Sequence, residues 1–383
     1  TINIGNQNQI NVTLLTSVDL LDEVVVSGYQ TLERRAIGGA IGTVDTDEAF
    51  KTQVTNAAEA LQGRVAGVTV VSGGAPGSAP VIRIRGISTT NDNSPLYVID
   101  GIQTTDPNVM RDINPQDIEN ISVLKDGAAA VYGARASNGV IVVTTKRGSY
   151  NAKNSFNVSA QYGVSEVTRY PDMLNVQQHA DMTWQSIIND GNVPTHPQYG
   201  SGTKPVIPNF LNVPMPSGPE YEGAKAQVTP GGTDWFDAIF DPADVTNVSI
   251  SASGGSEEGR FYLSANYLKQ DGVVIGNTGF ERVGTRLNSD FKIGDKITVS
   301  ESLSITYDKE GTTSGNAIQN AAFSSPLVPV YDTNGNFAGT YSNAARVGIA
   351  NNPVADLIRG QDDYNKNLRV IGDISFKWQI TPE

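Results

Sequence analysis

The side chains that most often carry chemistry are scarce here, or nothing in their spacing fixes them together. The 383 residues include no cysteine, which excludes thiol nucleophiles, thiolate metal sites and disulfides. Two histidines, His179 and His196, are too few for a histidine-built zinc site. Acids are plentiful, 40 against 27 Lys plus Arg. No spacing, however, fixes two of them for acid–base work, and no Ser-His-Asp set is found, so the sequence predicts no enzyme and no cofactor. Ser72-Gly-Gly-Ala-Pro-Gly-Ser78 has the glycines of a phosphate-cradling loop without its Lys-Ser/Thr pair or helix start, and is expected to be a turn between strands. Asp332-Thr-Asn-Gly-Asn336 opens like a calcium loop, but its glycine comes early and the twelfth position is not Glu. A turn in a long link is the simpler expectation. The formal charge of −13 repels nucleic acid phosphates.

The elements that could position a site are mostly strands, since Gly at 39, Pro at 19 and only 17% charged residues suit turns and neutral strands rather than a helical bundle. No window holds the ~20 consecutive apolar residues of a membrane helix, so any crossing of a membrane is by barrel. Ile10, Val12 and Leu14 alternate with polar residues as a half-buried strand would. Thr16 to Glu33 reads as an extended tether carrying Leu20, Leu21 and the run Val24-Val-Val26. From about Ala36 to Gly148, glycines divide short elements of a compact α+β unit. Ala57–Gln62 is helix-like; Gly67–Val71, Val81–Arg85, Pro95–Asp100, Ile118–Leu124 and Gly139–Thr145 are strand-like. Asn114 can cap a short helix starting at Pro115.

Beyond Gly148 the pattern becomes that of tilted membrane strands, about 9–11 residues with alternating apolar side chains. Six such faces begin at Phe156, Val248, Phe261, Val283, Ile297 and Leu368, the fifth interrupted by Glu301. Long links follow strands one, three and five, and short ones lie at Gly254–Gly259 and Gly294–Asp295. That parity is the one a barrel gives its two sides; an antiparallel sandwich with irregular loops is the competing architecture. A barrel holding an internal plug needs roughly 22 strands, so these six are expected to be the first part of an incomplete barrel.

Ser94-Pro-Leu-Tyr-Val-Ile-Asp-Gly101, the segment Ile113–Asp126, and Tyr132-Gly-Ala-Arg-Ala-Ser-Asn-Gly-Val-Ile-Val-Val-Thr-Thr-Lys146 resemble the plug signature of the SusC/RagA family of TonB-dependent outer-membrane transporters. Ala60–Val68 and Ile82-Arg-Ile-Arg-Gly86 are similar to its other plug elements. Thr233-Asp-Trp235 and Ser253 through Gly284 resemble its first barrel hairpins. Leu21-Asp-Glu-Val-Val-Val-Ser-Gly-Tyr29 resembles the TonB box. Its β-branched valines favour an extended backbone that can add a strand to a partner's open sheet edge. An ordinary strand of a plug or preceding domain is the plainer reading.

The resemblance implies four parts: residues 1–15 as the end of an N-terminal β-sandwich extension, 16–35 as TonB box and linker, 36–148 as plug, and 149–383 as barrel strands with extracellular loops. It implies TonB binding through Leu21, Asp22, Glu23, Val24, Val25 and Val26. It also implies a structural or gating role for the signature residues Arg83, Arg85, Gly86, Tyr97, Asp100, Gly101, Lys125, Tyr132, Gly133 and Arg135. Further implied are the outer membrane of a Gram-negative, Bacteroidetes-like bacterium, TonB with the ExbB/ExbD inner-membrane complex, a SusD-like surface lipoprotein, outer-membrane lipids, and an oligosaccharide or peptide ligand. A plugged subunit of another outer-membrane assembly, such as a secretion complex, is the alternative.

Arg83 and Arg85, expected on one face of a plug strand, together with Arg111, Lys125 and Arg135, are expected to pair with inward carboxylates of the barrel wall. The other possibility is that they line a path opened by plug movement. Tyr170, Trp184, Tyr199, Trp235 and Tyr331 fall in the long links, where they could stack on a ligand, pack the loops or sit at the lipid boundary.

Overall fold

A computed structural model of the chain describes residues 24–27, 30–33, 40–44, 46–50, 54–312, 316–340, 346–348 and 350–380. The strand expected over Ile10–Leu14 and the end of a β-sandwich extension lie outside them. The valine run forms β1 (Val24–Ser27), which doubles back against β2 (Gln30–Glu33) as an antiparallel ribbon with Val24 opposite Glu33. The tether is therefore not wholly extended: two adjacent strand-prone segments pair with each other.

The α+β unit contains β3 (Ile41–Val44), α1 (Thr46–Ala49), β4 (Val68–Val71), β5 (Val81–Ile84), β6 (Leu96–Ile99), β7 (Ile102–Thr104), α2 (Asn108–Asp112), β8 (Ile118–Leu124) and β9 (Val140–Thr145). Its sheet runs β3-β8-β9-β6-β7, with β6 and β9 parallel and the other pairs antiparallel; β4 and β5 form a separate hairpin. The sheet is buried on both faces, which is why β6 and β9 read as continuous apolar runs rather than alternating ones. Tyr97, Ile99, Ile141 and Val143 enter one core, and Leu96, Val98, Val140 and Val142 enter the other. The helix expected at Ala57–Gln62 shrinks to a single 3₁₀ turn, Glu59–Leu61. Its lead-in is tied down by Asn56 Oδ1, which accepts from the amides of Ala58 and Glu59.

Beyond this unit one antiparallel sheet runs in chain order through six strands: β10 (Ser155–Ser165), β13 (Ala243–Gly255), β14 (Gly259–Gln270), β15 (Phe280–Ile293), β16 (Ile297–Gly311) and β17 (Tyr364–Trp378). Between β10 and β13 lie α3 (Val176–Asn189) and the short pair β11 (Thr195–His196) and β12 (Gly200–Ser201); α4 (Ala317–Phe323) and α5 (Pro353–Arg359) lie between β16 and β17. All six strands coincide with the expected apolar faces, and the long and short connections alternate as expected. The strands run 11 to 15 residues, longer than the bilayer requires. The excess lies towards the long links and is charged: Asp244, Lys269, Glu281, Lys309 and Lys366 all sit there.

One face of this sheet is apolar and bare. Phe156, Phe376 and Trp378 are 77%, 74% and 66% exposed, and Val158, Ile250, Leu263, Val283, Phe291 and Leu368 share that exposed face. The opposite face is polar and buried against the α+β unit, through Ser249, Ser264, Arg282, Arg286, Asn288, Asp290, Ser302, Thr306 and Asp308. That inversion suits a lipid-facing outside and a plugged inside. Glu301 lies on the outward face, where Ser289 Oγ donates to it at 3.4 Å.

The long links are not irregular. They merge into one lobe with its own core, in which Trp184, Tyr199, Trp235, Ile239, Leu327, Val354 and Leu357 are buried together. Asn175 caps α3 in a reciprocal box with Gln178. Thr233–Trp235 belongs to this lobe and not to a barrel hairpin, since β13 starts at Ala243. Asp234 turns the chain there by accepting from the amides of Phe236 and Asp237.

Candidate functional site

The chemistry of this molecule is concentrated where the α+β unit meets the polar face of the wall. β6 and β7 are joined by Asp100 (φ +48°) and Gly101 (φ +96°), the left-handed pair of a two-residue hairpin turn. The turn aims the Asp100 carboxylate at the end of β9, where Thr145 donates through its amide (2.9 Å) and hydroxyl (2.7 Å). Arg286 of the wall reaches the same carboxylate at 3.1 Å, with both side chains almost fully buried. Asn288 donates to Thr145 Oγ1 (2.8 Å) and to the Lys146 carbonyl (2.7 Å), and is itself held by Ser302 (2.7 Å).

A second cluster is built on α2. The Arg111 guanidinium meets Asp308 (3.3 Å) and Glu310 (3.2 Å) of the wall and donates to the Gly77 carbonyl at 3.1 Å. It lies over the Phe280 ring, 5.2 Å from the centroid. Arg282 is buried and donates to the backbone carbonyl of Arg111. Arg369 pairs with Asp106 (2.8 Å) and Asp112 (3.1 Å). Burial raises the Asp112 carboxyl above its ordinary range, against the pull of Arg369 and Arg111. Breaking such a pair on one side leaves a buried charge without its partner, at about 3–5 kcal/mol.

Neutral contacts complete the seam. Asn114 donates to Ser249 (2.9 Å), Gln116 to Ser159 (2.9 Å), and Tyr262 to Asp117 (2.9 Å), whose carboxyl burial also raises. Arg147 and Arg260 converge on Asp290 at 3.1 and 2.6 Å.

Of the five cations expected to face wall carboxylates, Arg111 does so. Arg85 pairs with Asp126 inside the α+β unit, and Lys125 donates to the Ala66 carbonyl. Arg135 donates to Gln103 at 3.4 Å. Arg83 sits in β5 opposite Thr69. Arg83 and Arg85 do not share a strand face: β5 stops at Ile84, because Arg85 takes φ +60° while its amide bonds the Gly67 carbonyl.

The other signature residues serve the unit's own fold. Tyr97 is buried, and burial raises its hydroxyl pKa. Gly86 and Gly133 take positive φ, and Tyr132 packs partly buried on the second core. Among the signature residues, Asp100 meets the wall through Arg286. Val24, Val25 and Val26 lie in β1, while Leu21, Asp22 and Glu23 lie outside the described residues.

The link aromatics divide. Trp184 and Trp235 are buried and donate to the carbonyls of Gly202 and Ser325, and Tyr199 is buried beside His179, 2.8 Å from its Nδ1. Tyr170 and Tyr331 are partly exposed, Tyr170 stacked on Phe236 and Tyr331 tilted against Phe337. Asp332 spends its carboxylate on the amides of Asn334 and Asn336, so its segment is a turn. Among the described residues no group of His, Asp and Glu is arranged to hold a metal ion.

Sequence reasoning missed Asp106, Asp112, Thr145 and the wall arginines Arg282, Arg286 and Arg369. For the arginines the signal was available: Arg282, Arg286 and Arg369 occupy the positions that alternate with the apolar face of their strands. The Asp-Gly pair was likewise readable as a tight hairpin turn.

A sheet that is apolar outside and polar inside, seated on a small α+β domain by buried ion pairs, defines the plug and wall of a plugged β-barrel protein. Residues 33–140 match the TonB-dependent Receptor Plug Domain family. The chain is similar to TonB-dependent receptor P26 of Formosa agariphila, 34% identical over 88% of this chain and 32% of that protein. It is also similar to TonB-dependent receptor SusC of Bacteroides thetaiotaomicron, 30% identical over 98% of this chain and 37% of that protein. Among solved structures, the RagAB peptide importer in its open-open state superimposes with a TM-score of 0.67 at 26% identity, covering 84% of this chain and 37% of that one. The chain belongs with the SusC/RagA-like TonB-dependent receptors, and spans about a third of the length of the relatives it matches.

Proposed function

We propose that the protein imports a large nutrient, an oligosaccharide or oligopeptide, across the outer membrane of a Gram-negative bacterium, with TonB pulling on the segment around Leu21–Val26 to displace the plug. The observation that carries this reading is the seam itself. Plug and wall meet mainly through side-chain hydrogen bonds and ion pairs, with few apolar contacts such as Ile371 on the plug core, so most contacts broken on displacement can be replaced by water. Such a closure is removable by work that would not unfold the wall.

β1 supplies a backbone suited to strand addition, the mode in which main-chain hydrogen bonds give a reversible grip. The ExbB/ExbD complex would energise TonB from the inner membrane, and a SusD-like lipoprotein would cap the outer lobe. The peptide importer among the structural neighbours and SusC among the relatives support this partner class and leave both cargo classes in play.

Replacing Val24, Val25 and Val26 with proline removes strand amides and should abolish growth on the cargo while ligand binding stays intact. Undiminished growth of that variant would sink energised import.

A further inference from the structure

The outward face of the wall changes character at the end that meets the long links. Along β16 the outward positions from Ile297 to Tyr307 are apolar apart from Glu301. At about 3.3 Å per residue and a tilt of about 40°, that stretch rises roughly 25 Å, the height of the apolar band of an outer-membrane barrel. The next outward position is Lys309, and the residue opposite it on β17 is Lys366. On the membrane side of this pair, Tyr307 stands opposite Leu368 and Ile305 opposite Val370, all four exposed. Two cations therefore sit at headgroup level, at the top of an apolar strip.

Like charges directly opposite each other on neighbouring strands destabilise the pairing. Here the two ammonium groups also converge on one ring, with Lys309 Nζ 4.4 Å and Lys366 Nζ 4.6 Å from the Tyr364 centroid. The other charges of this row have partners. Glu281, opposite Lys309 on its other side, accepts from the Tyr267 hydroxyl at 3.0 Å, and Lys269 pairs with Asp271 at 2.9 Å. Asp308 and Glu310 turn inward to Arg111. Asp362 and Asp363, which precede Tyr364, form no ion pair with either lysine. Among the described residues no carboxylate pairs with Lys309 or Lys366.

Resting on the reading of the wall as part of an outer-membrane barrel with its long links outside, we propose that Lys309 and Lys366 hold the phosphate of a lipid in the outer leaflet. The phosphate bridges the two ammonium groups through charge-assisted hydrogen bonds and cancels their repulsion. The Tyr364 ring keeps both cations at that height. The acyl chains follow the seam between β16 and β17, covering Ile305, Tyr307, Leu368 and Val370. A free phosphate ion answers the lysines and leaves the strip beneath them bare, and an uncharged lipid does the opposite. A phosphorylated lipid answers both.

The test is native mass spectrometry of the purified full-length protein in neutral detergent, titrated with monophosphorylated lipid A, with the same glycolipid after dephosphorylation, and with inorganic phosphate. The phosphorylated glycolipid should bind roughly twentyfold tighter than the dephosphorylated one, about fivefold for each lysine. Lys309→Gln and Lys366→Gln should each lose about fivefold towards the phosphorylated form and nothing towards the other, a split that misfolding would not produce. Lys309→Arg with Lys366→Arg should keep the preference. Lys269→Gln should leave it unchanged, because that lysine already has Asp271. Equal binding of the two glycolipids, no binding of either, displacement of the glycolipid by an equal concentration of inorganic phosphate, or an equal loss from Lys269→Gln would each overturn the site. Neither TonB nor cargo enters the measurement, so it stands or falls separately from import.

Discussion

Asp100 and Arg286 form a pair whose worth depends on both members staying. Arg286→Ala should cost about 3–5 kcal/mol of plug docking because it strands a buried carboxylate. The double substitution Asp100→Asn with Arg286→Met should recover most of that. Hydrogen exchange of the β9 amides reads the difference, and a single variant no worse than the double would contradict the arrangement. Asp117 makes a pH prediction. Burial raises its folded-state pKa, so between the unfolded and folded values the native state binds more protons than the unfolded one. Its contribution to stability therefore grows as pH falls through that window and is complete below the unfolded value. Asp117→Asn should flatten this part of the melting-temperature profile, from about pH 4 upward, and an unchanged profile would refute the assignment.

At the scale of elements, the Ser72–Ser78 turn rests on the wall because Gly77 has no side chain. A Cβ there would clash with the Phe280 ring, and the φ of +68° at this position is itself unfavourable to other residues. Gly77→Ala should cost about 1–3 kcal/mol from backbone strain alone, and should also lengthen the Gly77 to Arg111 contact. Faster proteolysis of the 72–78 turn with an intact wall is the expected outcome; wild-type resistance would count against it. The six wall strands were legible because the two-residue period of Phe156–Val164 or Ile297–Tyr307 is set locally by which face meets lipid. β7 and α2 were not, since Ile102–Thr104 is short and Asn108–Asp112 carries no periodic apolar stripe. The α3, α4 and α5 helices of the lobe escaped for a different reason: their core joins Trp184, Leu327 and Leu357 across separate links, and local periodicity does not report such pairing. The signature identified the plug, yet most of its residues fold the plug. The polar seam had to be found from the far side, in Arg282, Arg286 and Asp308.

For the whole molecule, the seam makes displacement of the plug the event to test. The absence of cysteine among the 383 residues leaves a clean background for cross-linking. Gln116→Cys with Ser159→Cys, joined by a short bifunctional thiol reagent, would replace a 2.9 Å hydrogen bond between plug and wall with a covalent tie. Uptake should stop and return on cleavage of the linker, while ligand binding persists; continued uptake in the tied state would show that this contact need not open. The polarity of the inner wall also has an electrical consequence. Arg286, Asp290 and Asp308 line a surface whose charges pair with Asp100, Arg147 and Arg111 of the plug, beside Arg282, which donates to the Arg111 carbonyl. Were the plug to leave, they would border a column of water with fixed cations and anions on its wall, and ions would pass. The plug would then be an insulator as much as a stopper, and under the proposed import its stay outside the barrel in each cycle would be limited by the current the membrane can tolerate.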